Sequence, residues 1–192
     1  SSLANHFLAD ISGLLVIGIL FRNTQQGRKW LGFAHRWFET EVRRQVFEDG
    51  ANFETSISYH RLSYEMFLWA STMTEHIDQP FSNDYHERLN GMASFVAAYT
   101  TPSGHAVQFG DNDGGRFLSA GIEDPSDHRY LINGASSFGA LANSLLLGGG
   151  RSLPVGEEKT AFDQGGYYFS KTDEAWLGVR AGEVSHAGAH AH

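Results

Sequence analysis

Four short stretches of the chain hold side chains capable of chemistry. Asn5 and His6 stand side by side at the N-terminal edge of an apolar segment. An amide and an imidazole there can present hydrogen-bond donors to an anion, helped by a helix dipole. Asn in that position also serves as an ordinary helix N-cap. In "SISYHRL", Tyr59, His60 and Arg61 bring a phenol, an imidazole and a guanidinium together. A phenol titrates near pH ~10, and adjacent cations favour the phenolate and bring it toward general-base range. A Tyr on an amphipathic helix is otherwise core packing. "FGDNDGGRF" sets Asp111, Asn112 and Asp113 in a glycine-rich loop. Its start is like a calcium loop, but the Glu expected at about the twelfth position is absent, so an EF-hand is rejected. A loop fixing the wall of a cleft is the better reading.

The fourth stretch is the terminal "SHAGAHAH", with His186, His190 and His192 spaced by small residues rather than run together as in a purification tag. On a strand, residues two apart point the same way, so His190 and His192 can share one metal ion. Two ligands do not close a zinc site. The chain begins at Ser1 without an initiator Met and stops inside this motif, so it is expected to be an internal part of a longer protein.

Helices are expected to position most of these residues. "NHFLADISGLLVIGILF" is apolar around nearly its whole circumference and predicts a helix buried on most sides. Trp30, Phe33, Ala34, Trp37, Phe38, Val42 and Val46 recur at three- and four-residue spacing, with Arg36, Glu39, Glu41, Arg43 and Arg44 largely between them, which predicts an amphipathic helix. After the turn "EDGAN", a third helix places Ile57, Tyr64, Phe67 and Leu68 on one side. A fourth, from about Asn83, places Leu89, Met92, Val96 and Tyr99 on one face and breaks at "TPSG". A last helical stretch runs from about Asp127 to Leu147 and stops at a triple glycine. Past residue 160, "GGYYFSK" and "EAWLGVRAGE" flank the turn-like "TDE" and predict a β-hairpin. Helices first and strands second argue for two layers or domains rather than alternating α/β units.

Composition narrows the function. The 192 residues, 41% hydrophobic and 19% charged, describe a globular protein. A net charge of −8 argues against a nucleic-acid partner, while leaving room for a local basic cleft. No cysteine is present, which excludes thiolate metal sites, disulfides and cysteine nucleophiles. The longest apolar run, Leu14 to Phe21, is too short to span a bilayer. No leader segment is visible, which says nothing about location in an internal piece.

Taken together and in order, "NHFLADISGLLVIGILF", "EDGANFETSISYHRLSYEMF", "FGDNDGGRF" and "SHAGAHAH" resemble the heparinase II/III-like polysaccharide lyases, a group that includes alginate and oligoalginate lyases. The resemblance implies an incomplete α/α toroid over residues 1–150 and the start of an antiparallel β-sandwich over residues 151–192, with the active site between them. It implies that Asn5 and His6 neutralise the substrate carboxylate and that Tyr59 is the catalytic acid and often the base. His60, Arg61 and Asp111 would bind substrate beside them. The first His of the HxH, His190, would join the active site; the second, His192, would ligate a structural zinc whose other ligands lie beyond the last residue. An acidic polysaccharide or oligosaccharide is the implied partner, in the periplasm or outside the cell, with the oligomeric state unspecified.

Two other functions fit parts of the pattern. A toroidal glycoside hydrolase would use two carboxylates from among Asp10, Glu54, Asp111 and Asp113, although nothing pairs them in the sequence. A glycan-binding protein without turnover would keep the cleft alone.

Overall fold

Hydroxyl side chains start three of the long helices. Thr24 accepts from Gly27 N at 3.0 Å, Ser56 from Tyr59 N at 3.4 Å and Ser82 from Tyr85 N at 3.3 Å, each satisfying a donor that the first helical turn leaves open. The computed structural model describes residues 5–112, 114–117, 124–134, 159–172 and 175–183. Among these are four long helices, α1 (Asn5–Leu20), α2 (Gln25–Gln45), α3 (Ile57–Glu75) and α4 (Asn83–Tyr99), and a short α5 (Tyr130–Gly134). A three-stranded antiparallel sheet follows, β1 (Ala161–Phe162), β2 (Tyr167–Lys171) and β3 (Trp176–Arg180), in the order β1-β2-β3. The order of helices then strands is the one the sequence indicates.

α3 is the centre of the helical body. Its buried residues occupy nearly its full circumference and include His60, Arg61 and Glu65 as well as Tyr64, Phe67 and Leu68. The one-sided pattern expected for this segment therefore understates its burial. α1 shows the opposite departure. Leu8, Ile11, Leu15 and Ile19 are buried, but Ile17 (42%), Leu20 (69%) and Phe21 (53%) are exposed. The apolar circumference foretold burial on most sides, whereas α2 and α3, its main partners, cover one face. α1 and α2 meet backbone to backbone at Gly18, where a Cβ would stand 2.6 Å from Leu31 N.

In α2 the buried stripe is Leu31, Ala34, Phe38 and Val42, and Phe33, expected among the core residues, is exposed. Glu41, expected on the polar side, is fully buried and accepts from Gln45 Nε2 at 2.8 Å and Arg44 Nη1 at 3.1 Å. α4 buries Leu89, Met92, Val96 and Tyr99 as the periodicity predicts. Of the helical stretch expected over residues 127–147, α5 is the described part; the remainder, with the triple glycine, lies outside the described residues.

β2 and β3 pair as the predicted hairpin, with Tyr168 opposite Val179 and Ser170 opposite Leu177. β1, two residues long, carries no periodicity for the sequence to reveal. The inner face of the sheet joins the helical core: Phe95 of α4 lies 4.9 Å from Phe162 and from Tyr167, ring centre to ring centre. The 48–51 turn ties the two layers further. Asp49 Oδ2 accepts from Gly165 N at 2.9 Å, and the Asp49 carbonyl accepts from Lys159 Nζ at 2.8 Å. Gly50, at φ +102°, lies against Gly91 of α4, where the carbonyl carbon would be 2.2 Å from an added Cβ. No described helix is long and apolar enough to cross a membrane.

Candidate active site

The turn that leads into α3 carries a carboxylate beneath the start of α1. Asn52 Oδ1 accepts from Glu54 N at 2.9 Å, and Thr55 takes φ 58°, left-handed backbone that a β-branched residue holds only under tertiary constraint. Glu54 is buried, and its Oε1 accepts from Asn5 Nδ2 at 3.3 Å. An amide nitrogen has two hydrogens, so this bond orients Asn5 and leaves its second N–H available. Residues 49 positions apart are joined at one point.

From Glu54 to Arg61 every residue is buried except Tyr59, which is half-buried. Helical spacing puts Leu62 and Met66 on the face that Tyr59 occupies. Asn5, His6 and Ala9 of α1, Tyr59, Leu62 and Met66 of α3, and Arg116 and Phe117 line a pocket of about 280 Å³. That volume sits just below the range of about 300–1,000 Å³ usual for small-molecule sites.

Residues 109–112 and 115–117 are pinned to α3 and its cap. Ile57 N donates to the Phe109 carbonyl at 3.0 Å, Ser56 Oγ to the Asp111 carbonyl at 2.7 Å, and Ser58 Oγ to Asn112 Oδ1 at 3.0 Å. Further along α3, Arg61 Nη2 donates to the Gly115 carbonyl, and Glu65 Oε2 accepts from Phe117 N at 2.6 Å. The other oxygen of Glu65 accepts from the Tyr130 hydroxyl. Arg61 and Glu65 are both buried, with Arg61 Nε 3.9 Å from Glu65 Oε1. A buried ion pair is costly to desolvate, and here backbone and phenol hydrogen bonds help offset that cost. Arg116 and Phe117, at the end of the "FGDNDGGRF" stretch, thus form part of the pocket wall.

Three residues assigned to substrate binding are absent from the pocket lining. His60 is fully buried against Phe95, 4.8 Å between ring centres, with Tyr64 and Tyr99 near. Burial pushes its imidazole from 6.5 down to about 3, opposed weakly by the Met92 backbone, so it is neutral at ordinary pH. Arg61 is buried as just described. Each residue along a helix turns the side chain by about 100°, so the neighbours of an outward Tyr59 point into the core. Half-buried Asp111 receives Ser56 on its backbone, and its neighbour Asn112 lines a different pocket, of about 300 Å³, with Ser58, Asp124, Ser126 and His128. His190 and His192 lie outside the described residues, as does Asp113. Among the described residues, no group of three or more His, Cys, Asp or Glu side chains could hold a metal ion.

Residues 1–118 match the family described as Heparinase II/III N-terminus. The chain belongs to the heparinase II/III family. It is 26% identical over 110 residues to a heparin-sulfate lyase of Pedobacter heparinus, a match covering 56% of this chain and 17% of that protein. It is also similar to the crystal structure of a heparinase III, with a TM-score of 0.58 and 19% identity over 86% of this chain and 27% of that one. At that identity the likeness speaks for the fold. The chain spans well under a third of the length of either relative.

For a heparinase II/III family member the lining holds residues that sequence reasoning left unassigned. Arg116 and Phe117 line the pocket together with the α1 and α3 residues, and Glu54 accepts from Asn5. The signal for Arg116 was its position as the cation of a glycine-rich loop. No carboxylate lines the pocket among the described residues: Asp10 is exposed on α1, and Glu54 is buried under Asn5.

Proposed function

We propose that this protein contributes the helical side of a polysaccharide lyase site that cleaves uronate-containing glycans by β-elimination. The observation that carries the reading is the convergence of Asn5, His6 and Tyr59, from two helices distant in sequence, on one pocket. Family membership supports it, and the name of the Pedobacter heparinus relative favours a glycosaminoglycan over alginate. In this reading the helical body belongs to an incomplete α/α toroid over residues 1–150. The sheet begins an antiparallel β-sandwich over residues 151–192.

Elimination removes the proton at C5 of the uronate, forms the C4–C5 double bond and breaks the bond from C4 to the glycosidic oxygen, which takes up a proton. Asn5 and His6 donate to the carboxylate and stabilise the charge that builds there as C5 loses its proton. Tyr59 moves the proton, as the acid toward the leaving oxygen and, when ionised, as the base at C5. Arg61 and Glu65 hold the loop wall, a structural duty in place of the substrate contact first assigned to Arg61. In this proposal His190 would join the site and His192 would help to hold a structural zinc. In this reading the enzyme acts in the periplasm or outside the cell.

The test is a panel of uronate polymers offered to the full protein, followed by the ultraviolet absorbance of the unsaturated product. Product should form, and Tyr59→Phe should slow it by roughly 10²–10⁴-fold. Product at the parent rate from Tyr59→Phe overturns the assignment. New reducing ends without absorbance would indicate a hydrolase, and binding without turnover a glycan-binding protein.

A further inference from the structure

We infer that Arg116 supplies the charged anion contact of this site, beside the donors Asn5 and His6, and takes an oxyanion of the substrate sugar, carboxylate or sulfate. The inference rests on the lyase reading for its substrate class, but its geometry stands apart from it. Among the described residues that line the pocket, Arg116 alone carries a permanent positive charge. Asn5 and His6 of the same lining offer hydrogen-bond donors, and Arg116 adds the fixed charge to them. Asn5 contributes only a neutral amide, already bonded to the buried carboxyl of Glu54. Leu62, Met66, Ala9 and Phe117 supply apolar surface.

Arg116 is also held in place more firmly than a surface arginine. The backbone on both sides of it is bonded to one buried pair on α3. Arg61 donates to the Gly115 carbonyl, and Glu65 accepts from Phe117 N. These two side chains are one helical turn apart, so they grip residues 115 and 117 as a unit, and they come from the helix that carries Tyr59. Phe117 is wedged against Trp69 of the same helix, 5.4 Å between ring centres. The guanidinium itself donates through Nη2 to the Asp124 carbonyl at 3.1 Å. A guanidinium has five N–H donors, so one such bond steadies it and leaves a forked pair for a planar oxyanion. A charge whose position relative to Tyr59 is set by one rigid element is what binding a substrate in register with its reacting carbon requires.

The experiment is calorimetric titration of the full protein with a heparan sulfate oligosaccharide and with the same oligosaccharide desulfated. Arg116→Gln is the main variant, because an amide can keep the bond to the Asp124 carbonyl without the charge, and Arg116→Lys restores the charge. Arg116→Gln should weaken binding by about ten- to a hundredfold, the worth of a charge-assisted hydrogen bond, and Arg116→Lys should recover part of it. Loss on both ligands identifies the carboxylate as the bound group, and loss on the sulfated ligand alone identifies the sulfate. Tyr59→Phe should bind normally while turnover falls. Arg116→Gln that melts like the parent and binds both ligands at parent affinity overturns the inference, as does a parent protein that binds neither. If binding depends on Arg116 while no polymer gives unsaturated product, the lyase reading fails and the anion site stands.

Discussion

The burial of His60 gives a stability prediction whose size follows from the structure. Its ring lies among Tyr64, Phe95 and Tyr99, and burial pushes it from 6.5 to about 3. The unfolded chain therefore binds the proton more tightly than the folded one. Stability from the neutral ring is complete above pH ~6.5 and is lost as the pH falls from there toward ~3. At pH ~5 the unfolded imidazole is almost wholly protonated and the folded one almost wholly neutral, a loss of about 2 kcal/mol relative to pH ~8. His128 is depressed to about 3 as well, by burial first and then by Arg61, Arg116 and His60, and should add a loss of similar order. About 4 kcal/mol from two groups is a large part of the stability of an ordinary domain. His60→Leu removes one titrating ring while keeping an apolar filling. Urea unfolding of parent and variant at both pH values should show the parent losing about 2 kcal/mol more than the variant. Carboxylates that protonate in the same interval contribute equally to both proteins and cancel. Equal losses in the two would mean that His60 is solvated, and the core placement of this face of α3 would be wrong.

Two glycines of α1 should respond to alanine with opposite signs. Gly18→Ala drives a Cβ to 2.6 Å from Leu31 N and should destabilise by about 1–3 kcal/mol, whereas Gly13→Ala meets nothing within 4 Å and should stabilise by up to about 1 kcal/mol; thermal melts read both. Ser56→Ala removes both the cap of α3 and the bond to the Asp111 carbonyl, so it should cost about 1–2 kcal/mol and reduce turnover through Tyr59 more than it raises KM. If the lyase proposal holds, Asn5→Ala should lower kcat through the lost donor, with the melting temperature showing how far the loss of the Glu54 bond matters.

Local sequence determined the elements and the parts of the site that lie within one element. The caps at Thr24, Ser56 and Ser82, the spacing of Leu89, Met92, Val96 and Tyr99, and the alternation around Tyr167–Lys171 are short-range signals, because capping and amphipathicity act within a few residues. The motifs that point to the heparinase II/III family are local as well, and so Asn5, His6 and Tyr59, which share one pocket, could be named as candidates. Tertiary structure decided how neighbours in a motif divide their work. Tyr59, His60 and Arg61 are consecutive, yet the first lines a pocket, the second is core and the third grips a loop, because a helix separates them by about 100° each and only packing chooses the outward one. The burial of Glu41 and Glu65 and the exposure of Leu20 and Phe21 run against residue type for the same reason. What covers a side chain is set by elements far away in the chain. Arg116 owes its place to Arg61 and Glu65, some fifty residues earlier, and no window of sequence joins them.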